Sequence, residues 1–337
     1  MKKVLPLAIA AALVVPAAAM ADATVFGKVH MIAQNYDNGS DSVWSTDSVA
    51  SRVGVKGSED LGDGLKAVYH LEFGVNIDAN SGVSNRNQFV GLAGGFGTIL
   101  AGRHDTPMKM SQGAFDEFGD LPHGDIETVI PGEDRVSNVL AYVSPAMSGF
   151  TFVGAAVAGE LGDTGNMATS GLTGIADHYS LAGLYSNGPV FASLAYNGYS
   201  TGNLDPTNEY KPSIWRATLV WNGGNWQAGA IYADTNTDGI TDDSKAWGLS
   251  GHFMVTPNDK IKAQYLDGDS PVFGVGGLGL SPNVKLSGGD DPVTQWSIGY
   301  EHSFSKRTYV HVGYTSYDLD SNSDTQTAYF GGLVHSF

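Results

Sequence analysis

Residues 64–74, GLKAVYHLEFG, sort by parity into two different surfaces. Side chains alternate along an extended strand, so Leu65, Ala67, Tyr69, Leu71 and Phe73 share one face, whereas Lys66, His70 and Glu72 share the other. The first face suits hydrocarbon and the second suits water. Residues 51–58, SRVGVKGS, repeat the pattern, with Val53 and Val55 on one side and Arg52 and Lys56 on the other. A soluble sheet would carry many charges on its exposed face, yet charged residues make up only 16% of this chain, which favours a strand placed between lipid and a water-filled interior.

The last residues, QTAYFGGLVHSF (326–337), keep the same period and stop on an aromatic ring without a tail. Chain ends fray unless tied down, so the terminus is expected to be paired and packed. A closed cylinder supplies the partner, because its last strand pairs with its first and no backbone edge is left in hydrocarbon. Tyr329, Leu333 and Phe337 then share one outer face, with rings near both membrane interfaces.

Residues 1–21 carry Lys2 and Lys3, an apolar run from Val4 and the pattern Ala19-x-Ala21, which read as an export leader followed by a mature chain from 22 to 337. Without the leader, 18 − 2 = 16 basic residues stand against 35 acidic ones, a balance of −19 that nucleic acid would repel. The chain has no cysteine, so neither disulfides nor thiolate metal sites enter. With 45 glycines and little helical periodicity, a helical bundle or α/β enzyme is disfavoured. Sixteen strand-like segments are separated by seven short turns (EDLGDG, AGGFG, SPAMSG, NGP, NGGN, TPND, FSKR) and eight polar connections. The latter are 36–50, 75–87, 104–135, 160–176, 199–212, 234–245, 268–292 and 319–327. This alternation predicts an all-β transmembrane antiparallel barrel with short turns at one end and long loops at the other.

The stretches ATVFGKV, SRVGVKGSEDLGDGLKAVYHLE, NRNQFVGLAGGFGTILAGRHDTP, NVLAYVSPAMSGF, GYEHSFSKRTYVHVGYTSYD and GGLVHSF together resemble the Gram-negative general diffusion porins of the trimeric, sixteen-stranded type. The resemblance implies a homotrimer in the outer membrane and a third extracellular loop folded into the pore. It also implies recognition of the C-terminal strand, ending in Phe337, by the barrel assembly machinery. The chain departs from the family where Ala141, Val143 and Val334 replace charged residues that members often carry, and this leaves the selectivity of relatives behind.

The function expected is passive diffusion of small hydrophilic solutes and ions. Loop 104–135 is the predicted constriction, with Asp116, Glu117, Asp120, Asp125 and Glu127 facing Arg52, Lys56, Arg86, Arg103 and Arg135 on the wall, a transverse field that filters by charge and size. Lys28 and His30 share the polar face of the first strand. The acidic balance points to a weak cation preference, and basic residues outside the pore are expected to meet lipopolysaccharide. In DTNTDGITDDSK (234–245), Asp234, Asn236, Asp238 and Asp242 match positions of an oxygen-ligand calcium loop, although Lys245 replaces the bidentate acid. No cofactor is otherwise implied. No G-x-S-x-G or H-E-x-x-H pattern occurs, so an enzyme is not expected. A solute-specific porin and a plugged adhesin or structural barrel are the competing readings.

Overall fold

The computed structural model describes residues 23–78, 82–158, 174–176, 178–199, 212–237, 244–269, 292–319 and 325–337. The leader assigned to 1–21 lies outside the described residues. Strands β1 (Thr24–Asp37), β2 (Ser42–Ser48), β3 (Arg52–Gly62), β4 (Leu65–Val75), β5 (Val83–Gly94) and β6 (Gly97–Asp105) precede a short helix, α1 (Pro107–Met110). Next come β7 (Arg135–Val143), β8 (Phe150–Val157), β9 (His178–Asn187), β10 (Val190–Tyr199), β11 (Pro212–Asn222) and β12 (Trp226–Thr237). The series ends with β13 (Ser244–Thr256), β14 (Asp259–Gly268), β15 (Val293–Ser303), β16 (Thr308–Leu319) and β17 (Gln326–Ser336).

All of them join one antiparallel sheet that closes on itself, β1 pairing with β17 from Lys28↔Ser336 to Asp37↔Thr327. The closed sheet has sixteen staves, because β2 and β3 share one. From Met31 to Asp37, β1 pairs with β2, and from Thr24 to Lys28 it pairs with β3. Between them the chain kinks at Ala50, whose φ is +45°, and the Val49 N–H donates to the His30 carbonyl at 2.9 Å.

Three predicted loop boundaries move. Most of 36–50 is strand, since its Ser and Asp residues, which favour turns, are held by backbone pairing to β1 alongside the strand formers Val43, Trp44 and Thr46. Loop 75–87 shortens for the same reason, β5 starting at Val83. Strand β12 runs on to Thr237, which takes Asp234 and Asn236 out of the proposed cation loop; Asp238 and Asp242 lie outside the described residues.

The terminus is paired as expected: Phe337 N–H donates to Gly27 O at 3.0 Å, and Gly27 N–H returns a bond to Phe337 O at 3.1 Å. Its ring is laid on the outer surface over Gly27, where an added Cβ would lie 2.4 Å from a ring carbon. That face of β17 is exterior, with Tyr329, Leu333 and Phe337 about half exposed.

Outer side chains form an aromatic girdle from β10 to β17 through the registered pairs Tyr196↔Trp215, Tyr232↔Trp247, Tyr265↔Trp296 and Tyr314↔Tyr329. Phe337 sits eight residues from Tyr329, ~27 Å along the strand, which after tilting spans most of a hydrocarbon core. Buried apolar residues lie on the lumen side, where Met108, Phe115, Ile126, Val129 and Ile130 of the 106–134 segment pack on Ile214, Val220, Ile231 and Leu266 of the wall.

Candidate functional site

The segment between β6 and β7 turns into the lumen because its root is locked by side chains that satisfy its backbone. Thr106 caps α1 by accepting from the Lys109 N–H at 3.1 Å. On the wall, Ser180 Oγ accepts from Met108 N–H at 3.0 Å, and Ser193 Oγ donates to Ser111 O at 2.6 Å. Three wall glutamines hold the middle of the loop: Gln227 donates to Ala114 O at 2.8 Å, and both Gln264 and Gln295 donate to Gly124 O, at 3.0 and 3.1 Å. The loop returns over Arg216 of β11, which is fully buried and donates to Glu133 at 2.6 Å, to Met108 O at 3.1 Å and to Pro131 O. Burial pushes the Glu133 carboxyl up, even with Arg216 and Lys109 beside it.

The five predicted loop acids do not form one acidic face. Asp116 is enclosed by its own loop, accepting from Phe118 N–H at 2.9 Å and Ile126 N–H at 3.3 Å. Burial holds its carboxyl well above the ordinary range, and the charge of Asp125 adds to that. Asp125 caps a turn, accepting from Glu127 N–H at 2.9 Å and Asp120 N–H at 2.8 Å; burial raises its carboxyl too. Both acids shape the loop instead of facing the channel. Glu117 reaches the far wall, bonded to Gln227 at 2.9 Å and to His252 Nδ1 at 2.5 Å, while its carbonyl accepts from Lys262 at 2.6 Å. Glu127 is exposed, with no ion pair among the described residues.

Asp120 makes the contact that matters most for charge. With φ at +69°, it carries its carboxylate to Lys28 Nζ at 2.6 Å and to Arg52 Nη2 at 3.1 Å. Burial alone would raise this carboxyl, but Lys28 and then Arg52 outweigh it and hold it below the usual carboxylate range. Beside them Glu72 pairs with Arg86 and lies 4.0 Å from Arg52 and 3.6 Å from His70. Three cations, Lys28, Arg52 and Arg86, thus meet two carboxylates, Asp120 and Glu72. The loop tip is seated by Phe118 and Leu121 against Ile32, Val49 and Phe330.

The remaining wall residues separate. Lys56 lies 5.2 Å over the Phe26 ring. Arg135 pairs with Asp105 at 2.8 Å and Asn87 at 3.1 Å, where the loop leaves and re-enters the wall. Arg103 is not a lumen residue. It pairs with Gln88, which pairs with Leu71, and directly paired residues share a face. Leu71 is 45% exposed on the outer face, so Arg103 is on the exterior. The alternation of β6 fixes this, because buried Thr98 and Leu100 point in and Ile99, Ala101 and Arg103 point out.

Sequence reasoning missed Arg216, Glu72 and the three glutamines. A lone arginine in IWRATLVW (214–221), on the opposite face from Trp215, Leu219 and Trp221, was the available signal for the first.

A family model described as Gram-negative porin matches residues 8–322. The chain is 30% identical to the major outer membrane protein P.IB of Neisseria gonorrhoeae, over 96% of each chain. In fold it is similar to the anion-selective porin from Comamonas acidovorans, with a TM-score of 0.72 at 22% identity, covering 94% of this chain and 100% of that one. It is also similar to the trimer form of OmpT from Vibrio cholerae, with a TM-score of 0.67 at 15% identity and coverage of 94% and 99%.

Proposed function

Since the chain belongs to the Gram-negative porin family and is a passive diffusion channel of the outer membrane, we propose that loop 106–134 sets what passes it. The observation that carries this is the anchoring of that loop across the lumen: at its root by Arg216–Glu133, in its middle by three glutamines, and at its tip by Asp120 to Lys28 and Arg52. A loop held at three places leaves an opening of fixed size. Replacing 112–128 by a short Gly-Ser linker should raise single-channel conductance in planar bilayers and admit larger uncharged sugars in vesicle swelling. Unchanged conductance and size limit would refute the assignment.

Charges on the loop and wall are largely paired with each other, so the lumen discriminates weakly between ions. A weak cation preference, in this reading, comes from the acidic excess of the chain outside the paired groups and is lost as salt shortens the Debye length below ~8 Å. The functional unit is a homotrimer, by likeness to the trimer form of OmpT; chemical cross-linking in detergent tests it. Residues 1–21 direct export, and the C-terminal strand ending in Phe337 engages the assembly machinery.

A further inference from the structure

Arg103 is a cation on the wrong side of the wall for ion conduction, and its surroundings suggest what it meets. Its Nε donates to Asn85 O at 3.2 Å and its Nη1 to Ser137 Oγ at 3.0 Å, both neutral acceptors, and no carboxylate lies within ion-pair distance of it among the described residues. Asp105, the nearest acid in sequence, is taken by Arg135 and Asn87. These bonds fix the guanidinium through Nε and Nη1, and among the described residues Nη2 has no hydrogen-bond partner.

Below Arg103, toward the short turns, the outer surface sinks into an apolar groove of about 480 Å³. Its floor is Gly154 and Ala156 of β8, and its sides are Leu140 and Tyr142 of β7 and Tyr179 and Leu181 of β9. Register explains the shape. Leu140↔Ala156↔Tyr179 and Tyr142↔Gly154↔Leu181 each place a small residue between two large ones on the exterior face. Ile99, at the groove's edge, is four residues before Arg103 on β6, ~13 Å along the strand. Ser137, which fixes the guanidinium, is three residues before Leu140 on β7.

We propose that Arg103 and this groove form a binding site for one anionic, phosphate-bearing membrane lipid, the phosphate on the guanidinium and an acyl chain in the groove. An arginine fork matches phosphate oxygens in geometry and charge. An apolar channel within a lipid-facing surface, headed by an unneutralised cation, fits a lipid better than a neighbouring protein carboxylate, which would explain the cation but not the groove. The site rests on the outer surface facing lipid, and so on the barrel reading, but not on any property of the lumen.

The test is native mass spectrometry of the full-length protein after exposure to phosphatidylglycerol or to uncharged diacylglycerol, with heat-modifiable migration verifying that each variant forms a closed barrel. The wild type should retain phosphatidylglycerol in preference to diacylglycerol. Arg103→Gln should weaken phosphatidylglycerol retention about tenfold, the loss of a charge-assisted bond, and Arg103→Lys should restore part of it. Ala156→Leu, which fills the floor, should weaken both lipids. Equal retention of the two lipids by the wild type, or no effect of either Arg103→Gln or Ala156→Leu, overturns the site. So does an Arg103→Gln variant that keeps its lipid and instead falls apart into monomers, which would assign the guanidinium to a carboxylate of a second copy. A barrel that fails to close in the wild type would instead overturn the fold reading on which the site rests.

Discussion

Removing the Asp120 charge should shift the pore toward anions by an amount that can be worked out. The carboxylate is 31% exposed, so its field acts through lumen water as well as on its partners. A permeating ion ~5 Å away interacts with a unit charge by ~0.8 kcal/mol at water's dielectric constant. Screening with a Debye length of ~8 Å reduces that to about 0.4 kcal/mol at physiological salt. Such an energy changes the local concentration of each ion about twofold, in opposite directions for the two signs, so the anion-to-cation permeability ratio rises about fourfold. Asp120→Asn also frees Lys28 and Arg52, but the seating of Phe118 and Leu121 on Ile32, Val49 and Phe330 keeps the tip in place. Reversal potentials of single channels under a KCl gradient measure the ratio directly, and Asp120→Lys should double the free-energy shift, giving about a sixteenfold change. If Asp120→Asn leaves the reversal potential unchanged, or moves it toward cations, the placement of this carboxylate beside the ion path is wrong.

Other consequences follow from the loop's anchors and from the closure. Arg216→Met leaves the buried Glu133 with only Gln112 at 3.0 Å and Lys109 at 3.7 Å and should cost about 3 kcal/mol of loop anchoring, the low end for breaking a buried pair, seen as open-channel noise and faster proteolysis within 106–134; adding Glu133→Leu should recover much of it. Gly27→Val puts a side chain where the Phe337 ring lies and should destabilise closure by about 1–3 kcal/mol, read as a smaller heat-modifiable fraction after refolding. Asp116 has a carboxyl raised in the folded loop, so the folded state holds its proton longer than the unfolded chain does. Loop stability should therefore fall as pH rises from the ordinary carboxylate value through the raised one, and Asp116→Asn should flatten that slope in thermal unfolding measured against pH.

The barrel was legible because strands with the two-residue period of GLKAVYHLEFG recur along a chain with only 16% charged residues and are joined alternately by short turns and long polar loops, a pattern that a closed sheet with lipid outside and water inside explains. Strand β2 was not legible. Its strand formers Val43, Trp44 and Thr46 are interspersed with Ser and Asp in a polar stretch, and it is held by backbone bonds to β1 that no local pattern records. Among the functional groups, Arg52 could be placed from the sequence, since a charge on a strand's polar face has one direction to point, and Asp120 only through the resemblance, which implies that the third loop folds into the pore. Asp116 and Asp125 could not be told apart from them. Which carboxylate turns back to bond its own loop's amides depends on the positive φ at Asp120 and on the turn at Ile126–Thr128, which composition does not specify. Arg103 was misplaced for a different reason, because sequence proximity to the loop said nothing about the face it takes on β6; only the register with Gln88 and Leu71 does.

The chain lacks cysteine, so single cysteines can be introduced one at a time along β4 without background. At Lys66 and His70, which share the polar face and are partly exposed, a water-soluble thiol reagent added to channels in a bilayer should react and reduce the current. At Tyr69 and Leu71 the same reagent should leave the current unchanged, and a lipid-soluble maleimide should label instead. Reaction without alternation, or current block from Leu71→Cys, would contradict a closed cylinder with water inside and lipid outside.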